Sequence, residues 1–101
     1  MPKVWPFPDP PNTAVFTTVH VLERRSPITI VTHDADDGGW QFLCGTTNAD
    51  ADARVVGLGR VLDLDPTVAE LADLPFGWRA WRGKPKEPWQ RSPRATAADE
   101  G

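Results

Sequence analysis

The residues best equipped for chemistry fall in one phrase, His33-Asp34-Ala35-Asp36-Asp37-Gly38-Gly39, with Cys44 a few positions on. Three carboxylates, an imidazole and a thiol so close together suggest three chemistries. These are a hard cation held on oxygen, acid–base work by His33, and a thiolate nucleophile at Cys44. The first fails on spacing. A calcium loop starting at Asp34 has Asp36 and Gly39 in place, but Gly45 stands at the twelfth position, where a bidentate glutamate is needed. A second run, Asn48 through Asp50 and Asp52, puts Ala53 where the turn glycine belongs and Gly59 at the twelfth place. No metal is expected. Asp and Gly at these positions are explained by turn formation alone.

The other two chemistries fail on geometry. Neighbouring strand residues face opposite ways, so adjacency does not bring His33 and Asp34 together. Cys44 alternates in phase with Trp40 and Phe42, which marks it as a small buried hydrophobe. His20 would have to supply a base from another strand. No catalytic constellation and no cofactor site are read, and a non-enzymatic protein is expected. The single cysteine excludes an internal disulfide and the common cysteine-based zinc sites.

The elements that must position these residues form one α+β domain, since 101 residues leave no room for two cores. Most of the eleven prolines crowd the two ends, and five tryptophans carry much of the apolar area. Residues 1–13 read as a proline-rich arm with Trp5 and Phe7 as anchors. Residues 14–90 read as the domain and 91–101 as a disordered tail. The β-branched alternation from Thr13 to Leu22 predicts a first strand, and Glu23–Pro27 a connection of hairpin length. Ile28–His33 and Gly39–Cys44 predict a sharp hairpin. Val55-Val56 resume a short strand, and Leu58, Val61 and Leu62 are spaced for a turn or two of helix. Asp65 can cap a second helix with Pro66 in its first position, and Pro75 stops it. Trp78–Arg82 reads as an edge strand or an ordered loop. The sum is a small antiparallel sheet of about four strands with one or two short C-terminal helices on it. No run approaches the roughly 20 apolar residues of a membrane span. The opening MPKVWPFP lacks the apolar run of a secretory signal, so a cytoplasmic location is expected.

The phrases WPFPDPPN, PITIVTHDADDGGWQFLCG, LDPTVAELADLPFGWRAWR and the Pro88-Trp89 pair resemble a family of small bacterial proteins of undetermined function. Its members share a WPF…PPN start, an HD-x-DD-x-x-WQF hairpin and a DP…LADLP-x-GW end. More loosely, the GW-x-F-x-x-G hairpin followed by a short helix is similar to domains assigned as immunity proteins of bacterial toxin systems. The resemblance implies the α+β fold and a bacterial origin, and it brings no catalytic residues with it.

Charge distribution adds the last clue. Residues 32–75 hold nine acids against Arg54 and Arg60, whereas residues 77–94 hold six bases against Glu87 alone. An acidic surface formed by Asp34, Asp36, Asp37, Asp50 and Asp52 suits capture of a basic protein such as a toxin, because complementary charge speeds and orients association. The alternative is a nucleic-acid-associated protein using the Trp/Arg-rich segment from Trp78 to Arg94. An acidic remainder that repels phosphate makes nucleic acid the less favoured partner.

Overall fold

The computed structural model describes residues 5–36, 38–44 and 52–93. The chain is α+β, as the sequence indicates, but its sheet has six strands and is mixed. In chain order the elements are β1 (Ala14–Thr18), α1 (Val19–Leu22), β2 (Ile30–His33), β3 (Trp40–Leu43) and β4 (Ala53–Gly57). There follow α2 (Leu58–Leu64), a 3-10 helix (Pro66–Leu71), β5 (Trp78–Trp81) and β6 (Gln90–Pro93). The strand order is β4-β1-β3-β2-β5-β6, and β1 runs parallel to β3.

The main departure from a four-stranded antiparallel sheet starts at Thr18. Its hydroxyl accepts from the Val21 amide, so a residue with high strand propensity acts as a helix cap and ends β1 there. The single turn of α1 carries the chain away from β1. β2 therefore does not return beside β1, and β3 fills the gap between them. The hairpin itself forms as expected, with Ile30 opposite Leu43 and His33 opposite Trp40.

The far end of the chain extends the sheet. β5 lies between β2 and β6, not at an edge, and Ala80 at its centre is fully buried. β6 runs to Pro93, so ordered structure continues three residues into the segment expected to be a tail. A proline at the end of an edge strand removes no ladder bond that the sheet needs.

Helices cover one face of the sheet. Val15, Thr17, Val31, Phe42 and Ala80 point into this layer and meet Leu58, Val61, Val68 and Leu71. Thr17 is made tolerable inside by donating its hydroxyl to the Phe42 carbonyl at 2.8 Å. The N-terminal arm belongs to the same core, for Phe7 is buried against Trp40. Asp65 caps the 3-10 helix through the Thr67 amide at 3.0 Å, with Pro66 in the position foreseen. On the opposite sheet face Phe16, Val55 and Trp81 are partly exposed.

A surface tie closes the β6 edge. Arg91 donates to the Asp73 carboxylate at 2.7 Å and to the Glu70 carbonyl. The hydrogen bond and charge of Arg91 hold the Asp73 carboxyl below 3.8. Folding thus favours ionised Asp73, so the tie contributes at pH values above 3.8 and fades as pH falls through the lowered value. The difference in thermal midpoint between wild type and Arg91→Gln should therefore be small but measurable at neutral pH, and should close in strong acid.

Candidate functional site

The hairpin end of the sheet carries the half-buried Asp34 and the exposed Asp36. The tip is a short loop in which the Asp34 amide donates to the Gly39 carbonyl at 2.8 Å and the Gly38 amide to the Asp34 carbonyl at 3.0 Å. Gly38 takes φ +70°, a left-handed conformation that an L side chain adopts only with strain. The Asp34 carboxylate accepts from the Gln41 side chain at 3.0 Å, which fixes it over β3. Asp36 is exposed beside it. Asp37 and Asp50 lie outside the described residues.

A second turn packs against this tip. Pro75–Trp78 closes through the Trp78 amide on the Pro75 carbonyl, and the Gly77 amide donates to the His33 carbonyl at 2.7 Å. The turn holds out Phe76, which is 67% exposed. Its ring lies 4.6 Å from the His33 ring and borders Gly38, where an added Cβ would come within 3.3 Å of it. Sequence reasoning did not single out Phe76. Its signal was a large apolar ring between Pro75 and Gly77, a place where turn chemistry leaves no room for burial.

Asp52 does not join this surface. β4 runs antiparallel to β1, and β1 parallel to β3, so the start of β4 lies at the end of the sheet remote from the hairpin tip. The separation is about one strand length, roughly 13 Å. There Asp52 pairs with His20 at 3.5 Å. The acids therefore form two surfaces, not one continuous face.

The same topology separates His33 from Cys44. His33 is buried, stacked on Trp40 at 3.8 Å, and its Nδ1 lies 2.7 Å from the Leu74 carbonyl. A carbonyl only accepts, so Nδ1 carries the proton. Nε2 is buried without a partner among the described residues. This imidazole ties the hairpin to the segment after the 3-10 helix. Cys44 is buried at the other end, 3.6 Å from the Thr18 hydroxyl. Among the described residues no three His, Cys, Asp or Glu side chains are placed to hold a metal. No helix among them is long and apolar enough to cross a membrane.

No family model, curated protein or solved structure matches this chain. Its surfaces must speak for it.

The Trp/Arg segment turns Trp78, Arg82 and Trp89 inward. Arg82 is a buried clamp stacked 4.0 Å above Trp89, Arg91 is tied to Asp73, and Arg79 sits over Trp81 at 5.3 Å. Trp78 and Trp89 pack on the core. Of its described bases only Arg82 is buried; Arg79, Lys84, Lys86 and Arg91 are exposed, as is part of Trp81.

Proposed function

We propose that this protein is a non-enzymatic binding module that docks on a basic protein partner through the hairpin end. The observation that carries this reading is Phe76, a large aromatic side chain held out beside the exposed Asp36 and the fixed Asp34. An apolar anchor with a charged rim is how protein interfaces divide their work. The anchor supplies affinity by desolvation, and the rim steers the encounter. The rigid frame beneath it, Gly38 and the buried His33 ring, keeps the anchor from collapsing onto the surface. On this reading the likeness to immunity domains points to a bacterial toxin as the partner, with neutralisation by occupation of its surface.

Replacing Phe76 by serine should weaken capture of the native partner by about 30-fold, the usual scale of a central anchor. Asp34→Asn with Asp36→Asn should act mainly on the association rate, with an effect that shrinks at high salt. Neither change should lower the melting temperature appreciably, since Phe76 and Asp36 are exposed and asparagine at 34 keeps an oxygen to accept from Gln41. Affinity capture from the native host, quantified for wild type and both variants, checks this. Equal recovery of the same proteins by all three sinks the hairpin reading.

A further inference from the structure

The opposite end of the molecule holds a groove that the hairpin reading leaves unused. Its volume is about 500 Å³, within the range of about 300–1,000 Å³ typical of small-molecule sites. Its apolar lining is Pro27, Leu64 and Pro85, with the buried Val21 and Ile28 behind them. The loop after α1, carrying Arg24 and Arg25, and the Pro85-Lys86 segment both contribute to its lining.

The charges of this groove are arranged asymmetrically. Asp65 lines it, but one carboxylate oxygen takes the Arg82 guanidinium at 2.7 Å and the other takes Thr67, so its charge is answered from within the fold. Arg25 is paired with Glu23. Arg24 and Lys86 form no ion pair among the described residues, and both line the groove from segments far apart in the chain.

Arg24 is also the one non-glycine residue with positive φ among the described residues, at +60°. It lies just past α1, where the chain reverses and the Arg25 and Ser26 amides both reach back to the His20 carbonyl. Glycine or asparagine takes this conformation with less strain. A long cationic side chain at a strained position on the wall of an apolar groove points to a use for the cation.

We propose that this groove binds a small organic anion, an apolar body bearing a carboxylate or similar group. The body would lie on Pro27, Leu64 and Pro85, with the anion held by Arg24 and Lys86. Both halves of the ligand are required. A bare anion gains little from exposed cations, and a neutral body leaves the basic walls unanswered.

The test compares three probes by amide chemical-shift titration: 2-naphthoate, 2-naphthamide and acetate. Naphthoate should shift the amides of Val21, Ile28 and Thr67 and saturate. The neutral amide and acetate should each bind at least about fivefold more weakly. Arg24→Gly should weaken naphthoate by about fivefold while leaving the thermal midpoint equal or higher, because glycine relieves the left-handed strain. Stability and binding then move in opposite directions, which no purely structural role for Arg24 produces. Lys86→Gln, at an exposed position, should weaken naphthoate similarly with no change in midpoint. Equal binding of naphthamide, shifts confined to other surfaces, or full affinity in both variants would overturn the proposal.

Discussion

Arg82→Ala is expected to lower the unfolding free energy by about 3–5 kcal/mol, the scale for breaking a buried ion pair by removing one partner. The guanidinium is buried, and all five of its N–H donors are used. Nε and Nη2 both reach the Ile28 carbonyl, at 3.1 and 2.9 Å. Nη1 donates to Thr67 Oγ1 at 3.0 Å and to the Pro85 carbonyl at 2.7 Å, and Nη2 also donates to Asp65 at 2.7 Å. One side chain thus joins the entry to β2, the cap of the 3-10 helix and the β5–β6 connection. Truncation strands several acceptors and a carboxylate that is 19% exposed, and it uncovers the Trp89 ring. Lysine is not a remedy. Its three donors form a point and not a planar fork, so Arg82→Lys should still cost about 2 kcal/mol. Asp65→Asn should cost less than Arg82→Ala, because it keeps an acceptor for Thr67 and leaves the other contacts of the guanidinium intact. Urea unfolding of the three variants checks this order. A midpoint for Arg82→Ala close to wild type would show that the clamp is dispensable.

Trp40→Ala carries the second large effect, again about 3–5 kcal/mol. Trp40 is 1% exposed and sits where three parts of the chain meet. It stacks on His33 across the hairpin and on Phe42 along its own strand, with ring centroids 3.8 and 5.9 Å apart. It meets Phe7 of the arm edge-on at 5.2 Å, and its indole N–H donates to the Asp9 carboxylate at 2.8 Å. The Trp5 indole donates to the Asp9 backbone carbonyl, so the arm is held by a chain of contacts that begins at Trp40. Removal leaves a large cavity in a domain too small to relax around it, and it frees the arm. Trp40→Phe separates these effects. The ring remains, the bond to Asp9 is lost, and a cost of about 1–2 kcal/mol is expected, with the arm the first part to loosen. Limited proteolysis between residues 5 and 12, run beside urea unfolding, reports both. An arm as protected in Trp40→Phe as in wild type would show that Asp9 contributes nothing to its docking.

Local elements with one dominant signal were legible in the sequence. The hairpin from Ile30 to Leu43 is specified by alternation on both sides of an Asp/Gly turn. The cap at Asp65 with Pro66 behind it is specified by two independent preferences, although the helix it starts has 3-10 geometry. Cys44 was readable as a core residue from its phase with Trp40 and Phe42 alone, and it is buried. Where two local preferences compete, the sequence is silent. Thr18 can extend a strand or cap a helix, and Val19–Leu22 suits either. The choice rests on the Thr18 hydroxyl finding the Val21 amide once the core closes over Val21.

Which residues keep company was decided by the tertiary structure. Charge counting along the chain merged Asp34, Asp36 and Asp52 into one acidic face, yet strand direction sends Asp52 to the far end of the sheet. Counting also grouped Arg82 with the other bases of residues 77–94, whereas the fold buries it and uses all its donors inside. Phe76 and Arg24 gained their standing only once the Pro75–Trp78 turn was laid against the hairpin and the loop after α1 joined Lys86 in lining one groove. The reason is physical. Alternation and turn chemistry act between residues a few positions apart, so they are written locally. Strand order, burial of a charge and the meeting of two loops are properties of pairs far apart in the chain, and no local preference encodes them.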